Sequence, residues 1–222
     1  MTATLLSKVL LDIMPFSHPK EASNHLSRYP QGSHCQNDDC ETCINLCPTA
    51  AISKEESYLR IHYERCIFCG WCIDFCSAQT FTWAIGDPPL YQQGAHKKVF
   101  SPLLYLLPFD AGDCGFCLDD IQAVVDFSKY RIEIVTAAEE ADVLLVVGAI
   151  PTHRRDALME AYNALKEPKI VIASGACALS GGIFANGRQG LPFKADIMLP
   201  GCPPSREAIF RTLIALMTIN HG

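Results

Sequence analysis

The chain is predicted to join an α+β segment built around closely spaced cysteines to an α/β domain with a doubly wound parallel sheet. Three observations predict this. Eight of the twelve cysteines fall within residues 35–83, in two similar runs. From residue 102 onward, apolar runs of strand length alternate with helical patterns, as a parallel sheet with helices on both faces requires. Hydrophobic residues make up 49% of the 222 positions and the formal net charge is -6. That composition excludes a disordered chain, and its acidic balance argues against nucleic acid as partner, because counterion release needs a basic surface.

Residues 1–34 read as an amphipathic helix and a wrapping loop. Leu5, Leu6, Val9, Leu10 and Ile13 share one helical face, Lys8 and Asp12 lie opposite, and Pro15 closes the pattern. Such a face suits core packing or a membrane surface equally well. Residues 15–34 are rich in Pro, Ser and His and are expected to be loop. The first sixteen residues lack the sustained apolar core and small-residue cleavage site of a secretory signal, and no apolar run approaches the ~20 residues that span a bilayer. Without export the thiols stay reduced, and metal becomes the default role for the cysteines.

Residues 35–83 contain an internal repeat. The first copy is Cys35-x4-Cys40-x2-Cys43-x3-Cys47-Pro48; the second is Cys66-x2-Cys69-x2-Cys72-x3-Cys76. A C-x2-C-x2-C-x3-C run, especially one followed by Pro, is the arrangement of two-cluster bacterial ferredoxins, in which the fourth cysteine of each run serves the other cluster. The spacing therefore predicts Cys35, Cys40, Cys43 and Cys76 on one [4Fe–4S] cluster, and Cys66, Cys69, Cys72 and Cys47 on a second. Two extra residues after Cys35 leave open whether Cys35 or the adjacent His34 is the ligand, and Ser77 stands where the second copy lacks the proline. Zinc ribbons also pair C-x2-C units, but zinc would leave the third and fourth cysteine of each run unexplained.

Residues 84–101 read as a linker. In 102–222, strands are expected at 103–107, 131–135, 143–147, 170–173 and 195–199, and helices at 119–129, 154–165 and 206–219. The outline is flavodoxin-like. Cys114 and Cys117 follow the first strand, Cys177 follows the strand at 170–173, and Cys202 follows the last. All lie beyond carboxyl ends of strands, where open α/β sheets bind ligands. Gly112, Gly115, Gly175 and Gly201 beside them permit close backbone approach and offer amides to sulfur. Four thiols at one pole make a third [4Fe–4S] cluster the economical expectation.

The stretches ADVLLVVGAIPT, PKIVIASGACALSGGIF and ADIMLPGCPPSREAI resemble the small iron–sulfur subunit shared by complex I and membrane-bound [NiFe] hydrogenases, over essentially all of 102–222. Residues 1–83 resemble the two-cluster ferredoxin subunit of the same complexes, usually a separate polypeptide. The branch resembled is the energy-converting group 4 of formate hydrogenlyase/Ech-like enzymes, related to complex I through its 20 kDa subunit family. Complex I proteins carry two adjacent cysteines at the first position, whereas the hydrogenase branch carries C-x-x-C. Cys114-Gly115-Phe116-Cys117 has the hydrogenase spacing. That branch often places Glu three residues after the second cysteine; here Asp120 occupies the position, one methylene shorter.

The resemblance implies a non-catalytic electron-transfer subunit holding three [4Fe–4S] clusters, the proximal one on Cys114, Cys117, Cys177 and Cys202. Its partners would be a catalytic [NiFe]-type large subunit, membrane ion-translocating subunits, and a ferredoxin or dehydrogenase as low-potential donor. Its place would be the cytoplasmic face of the cell membrane, as a peripheral subunit. The alternative is the same relay in a nickel-free, complex I-like quinone or sulfur reductase; a free-standing carrier is a third reading, which the C-terminal domain disfavours. Plainer expectations cover the remaining residues. Asp119 and Asp120 suit a helix N-terminus, His153, Arg154 and Arg155 open an exposed helix, and Gly181-Gly182 lacks the residues of a phosphate loop.

Overall fold

Two antiparallel strand pairs and one six-stranded sheet organise the residues described by the computed structural model, namely 27–37, 40–92, 103–123, 127–184 and 190–218. The helix expected over 4–14 lies outside the described residues. Strand β1 (Arg28–Gly32) leads into the first cysteine run and helix α1 (Thr42–Leu46). Strands β2 (Ile52–Glu55) and β3 (Tyr58–Ile61) form a hairpin, helix α2 (Trp71–Asp74) carries Cys72, and β4 (Phe81–Ile85) returns to pair antiparallel with β1. Helices this short cannot stand alone. They are held by a small core of Ala51, Ile52, Leu59, Ile61 and Phe81, to which Cys35, Cys43 and Cys66 add their side chains.

Strand β1 corrects the expectation of loop through residue 34. Pro30 and Gly32 are poor strand formers, but a two-stranded ribbon tolerates Pro30, and Gly32 has a packing reason. A Cβ there would come within 2.8 Å of both the Leu59 carbonyl and the Phe81 ring. The span 84–101 is also more than a linker. It begins inside β4 and contains β5 (Tyr91–Gln92), which joins the large sheet.

In the large sheet, β6 (Leu104–Asp110), β7 (Ile132–Ile134), β8 (Val143–Val147), β9 (Ile170–Ser174) and β10 (Ile197–Leu199) are parallel, in the order β7-β6-β8-β9-β10. Counted from β6, that is the 2-1-3-4-5 order of flavodoxin-like sheets. Strand β5 caps the β10 edge antiparallel, which shields a short edge from further pairing. Strand β8 (VLLVV) is buried at every position because both faces are covered. On one face, Leu104, Leu106, Val143, Leu145, Ile170 and Ile172 meet Ile121 of α3 (Phe116–Ala123) and Ile209 and Leu213 of the last helix. On the other, Leu107, Leu144, Val146 and Val171 meet Leu158 of α4 (Thr152–Ala164) and Ala178 of α5 (Ala176–Ser180). The last helix, α6 (Arg206–Thr218), starts where Ser205 Oγ accepts the Ala208 amide at 2.9 Å, an N-cap.

At the amino-terminal end of the sheet two aspartates do the same work. Asp142 Oδ2 accepts the Tyr105 amide at 2.9 Å, and Asp196 Oδ2 accepts the Val171 amide at 2.8 Å. Each ties the start of one strand to its neighbour. Burial pushes the Asp142 carboxyl above its ordinary value. The carboxyl ends of the strands carry the cysteines.

Candidate metal centres

The cysteine repeat is visible in the backbone. Cys47 and Cys76, which end the two runs, each open a turn: Ala50 N donates to Cys47 O at 3.2 Å, and Gln79 N to Cys76 O at 3.1 Å. Ala50 and Gln79 both take a left-handed conformation, at φ 50° and 49°. One residue further on, Ala51 N donates to Cys47 Sγ at 3.2 Å and Thr80 N to Cys76 Sγ at 3.3 Å. The missing second proline therefore changes nothing in the turn. Phe68 N donates to Cys66 Sγ at 3.4 Å. Amides aimed at sulfur favour the thiolate and are what an iron–sulfur cluster needs from its surroundings.

Cys47, Cys66, Cys69 and Cys72 line one recess together with Pro30, Ile52, Ile61 and Trp71. Burial pushes the Cys66 thiol up to about 12, and the charges of Cys72, Cys47 and Cys69 add to it. Burial likewise pushes Cys72 up to about 12, with Cys69 and Cys47 adding. Thiols held this high by burial and by one another's charge would give up their protons on binding a positively charged metal group.

In the other group Cys35 and Cys43 are buried and Cys40 and Cys76 half-buried. Burial raises the Cys43 thiol, and Cys76 and Cys40 push it further. Burial is also the largest single influence on Cys76, but hydrogen bonds from Thr80, Ala78 and Phe81 together outweigh it and leave that thiol lowered. The Thr42 hydroxyl, 3.5 Å from Cys40 Sγ, lowers Cys40. Cys35 is buried in the same core, but its thiol donates to the Asn37 carbonyl at 3.5 Å. His34 is turned elsewhere: its Nδ1 lies 3.4 Å from Ser57 Oγ, and its ring meets Tyr58 edge-on at 5.3 Å.

In the large domain the loops after β6, β9 and β10 bring together four cysteines from three distant stretches of sequence. Burial drives Cys117 strongly upward, followed by the charges of Asp113, Cys202, Cys114 and Cys177. Burial lifts Cys177 to about 11, with Cys202, Cys114 and Asp113 adding. Burial, then Cys114 and Asp113, raise Cys202, which also feels Cys69 of the ferredoxin-like segment. Two glycines make the cradle. At Gly175 (φ +90) a Cβ would stand 3.0 Å from Cys117 Sγ, and at Gly182 (φ +56) one would stand 2.9 Å from Cys177 Sγ. Both the conformation and the space exclude a side chain.

Among the described residues no three His, Cys, Asp or Glu side chains gather closely enough to hold a single metal ion. The donor sets, the amides on sulfur and the glycine cradle fit iron–sulfur clusters.

Several contributors escape sequence reading. Asp110 Oδ1 accepts the Gly112 and Asp113 amides at 2.9 and 2.8 Å, and Asp113 Oδ2 accepts those of Gly115 and Leu118 at 3.1 and 3.0 Å. This double clasp shapes the loop that presents Cys114 and caps the helix that holds Cys117. Arg154 is not an idle helix-start residue: its guanidinium donates to the Asp110 carbonyl and lies 5.7 Å from the Phe109 ring centre. Asp119 sits in the first turn of α3, as expected, while the side chain of Asp120 lies outside the description. Gly182, in the Gly-Gly pair that suggested no role, proves to be cradle.

A doubly wound sheet with thiols grouped at its carboxyl pole, next to a cysteine-run module, defines a protein of the iron–sulfur class. Comparisons with known proteins agree. Residues 113–216 match the family model of the NADH ubiquinone oxidoreductase 20 kDa subunit, and residues 59–79 match a 4Fe–4S binding domain. An uncharacterised protein of Methanocaldococcus jannaschii is 37% identical over 121 residues, which cover 50% of this chain and 80% of that protein. The subunit K of a Prochlorococcus marinus NAD(P)H-quinone oxidoreductase is 37% identical over 125 residues, 52% of this chain and 49% of the relative. This chain thus spans about half the length of such quinone oxidoreductase subunits. Two solved structures align with TM-scores of 0.43 and 0.42 at 20% and 18% identity. One is a membrane-bound sulfane sulfur reductase (53% of this chain, 72% of that one), the other an NAD+-reducing [NiFe]-hydrogenase (52% and 91%). The chain belongs to the family of the NADH-ubiquinone oxidoreductase 20 kDa subunit, and it carries a 4Fe–4S binding domain as well.

Proposed function

We propose that this chain is the electron-transfer subunit of a membrane-bound, energy-converting [NiFe] hydrogenase, with a two-cluster ferredoxin module and a proximal-cluster domain fused in one polypeptide. Cys35, Cys40, Cys43 and Cys76 would hold the first [4Fe–4S] cluster, Cys47, Cys66, Cys69 and Cys72 the second, and Cys114, Cys117, Cys177 and Cys202 the third. Bound clusters supply one-electron transfer. The protein's part is to hold them in series, bury them and set their potentials through amide donors and fixed charges. What supports the relay is that the charge of Cys69, in the ferredoxin-like segment, reaches Cys202 at the pole of the large domain; on this reading the group of Cys47, Cys66, Cys69 and Cys72 would stand in the middle of the series.

The reaction would be proton reduction or H2 oxidation on a partner large subunit, beside membrane ion-translocating subunits and fed by a ferredoxin or dehydrogenase. Among the described residues no helix is long and apolar enough to cross a membrane, so attachment would come through those partners at the cytoplasmic face. Phe116 at the start of α3 and Ile183 and Phe184 after α5 expose 68%, 55% and 46% of their surface close in sequence to Cys117 and Cys177, and an apolar rim of this kind suits a partner subunit.

One observation favours the nickel-free alternative: the 37% identity to quinone oxidoreductase subunits. Cys114-Gly115-Phe116-Cys117 favours the hydrogenase. Metal content after anaerobic pull-down of the tagged chain from detergent-solubilised native membranes decides. Iron with stoichiometric nickel is expected. Iron without nickel would leave the quinone or sulfur reductase, and zinc in place of iron would overturn all three cluster sites.

A further inference from the structure

Ser174 closes β9, and its hydroxyl oxygen is wholly buried. Among the described residues it is the one buried side-chain oxygen or nitrogen without a hydrogen-bond partner. An orphaned buried hydroxyl is destabilising, so its presence asks for a partner that the described residues do not supply.

Its position names that partner. Alternation along β9 puts Ser174 on the face of Ile170 and Ile172, the face that also buries Cys117, Val147 and Leu199. Ser174 is in register with Val147 of β8 and with Leu199 of β10, so it stands at the carboxyl pole where the four thiols gather. The next residue is Gly175, where an added Cβ would come within 3.0 Å of Cys117 Sγ. A buried water is a poor substitute, because it needs two to four polar partners and the neighbouring Val147, Ile172 and Leu199 side chains offer none.

We propose that the Ser174 hydroxyl donates a hydrogen bond to sulfur of the cluster held by Cys114, Cys117, Cys177 and Cys202, and so raises that cluster's reduction potential. The inference rests on the proximal-cluster reading above. Reduction adds negative charge to the cluster, and a donor facing it favours the reduced form. Ser174 thereby opposes Asp113, whose carboxylate sits in the same loop system and disfavours added negative charge.

The test is a redox titration, followed by electron paramagnetic resonance, of the anaerobically purified complex carrying Ser174→Ala. The proximal signal is assigned as the one that Cys177→Ala abolishes. Loss of the hydroxyl is expected to move its midpoint to more negative potential by about 59 mV, a tenfold change in the reduced-to-oxidised ratio at fixed poise. The shift that H2O-to-D2O exchange gives the iron–sulfur stretching bands in resonance Raman should shrink with it, and Ser174→Thr should restore both. Should Ser174→Ala not retain the cluster, Ser174→Thr and Ser174→Val, nearly equal in shape, make the same comparison, with only valine lowering the potential. An unchanged midpoint and an unchanged isotope shift, with the proximal signal present, would overturn the role of Ser174. A wild-type complex without any signal sensitive to Cys177→Ala would instead remove the proximal cluster, and this inference with it.

Discussion

The two halves of this molecule bring sulfur atoms together by opposite means. In the ferredoxin-like segment, neighbouring cysteines are separated by two to four residues within each run, and local turns place them; among the described residues, helices of five and four residues and two strand pairs make up the regular structure. Three of the eight buried core residues are themselves cysteines. In the large domain the cysteines come from loops after three different strands, and a two-faced apolar core positions them with little help from sulfur: Cys117 alone joins it. The first half therefore depends on what its thiols bind. The second is a preformed scaffold that presents them.

Removing metal should break the comparison most visibly. Anaerobic chelation of iron is expected to abolish amide hydrogen-exchange protection in β2, β3 and the turns at Ala50 and Gln79, because the small core of this segment includes three cysteines and part of its folding free energy would come from the metal they hold. Protection in β6, β8 and β9 should persist. Equal loss in both halves would contradict the distinction. Next in size is Leu145→Ala, at a fully buried position of β8. It should cost about 2–5 kcal/mol in denaturant unfolding of the large domain and leave the iron held by the ferredoxin-like segment unchanged.

Gly175→Ala sharpens the contrast from the other side. The strain of a non-glycine residue in that conformation is about 1–3 kcal/mol, and the added methyl presses on Cys117 Sγ, so the fold should survive while the proximal thiols lose their ligand. Iron analysis with circular dichroism checks both parts. The smallest effect belongs to the opposite pole. Asp142 has its carboxyl raised by burial, so its contribution to stability is fully present below its unfolded-state pKa and is lost as pH rises through the folded value. Asp142→Asn keeps an acceptor for the Tyr105 amide without the buried charge. It should stabilise at neutral pH relative to wild type, the gain vanishing in acid; urea midpoints at both pH values measure it.

How much was legible follows from the same division. The run Val-Leu-Leu-Val-Val at 143–147 announces a strand buried on both faces, and β8 occupies those residues. The cysteine spacing announces a repeat, and the matched turns at Ala50 and Gln79 express it. What escaped depends on partners distant in sequence. Strand β1 contains Pro30 and Gly32 and becomes a strand only because β4 lies beside it. Strand β5 is two residues long and is defined by the edge of β10. Asp113 reads as one more acidic residue until its carboxylate is seen clasping two amides. Gly182 means nothing until Cys177 Sγ is found against it.

The central claim is that three distant loops complete a third cluster beyond the two that the cysteine runs announce. Iron and acid-labile sulfide per chain, measured on the anaerobically purified complex and its Cys177→Ser variant, with partner subunits contributing equally to both, test it most directly. The account expects a fall of about four irons and four sulfides in the variant, one [4Fe–4S] unit. Equal iron and sulfide in both would contradict it.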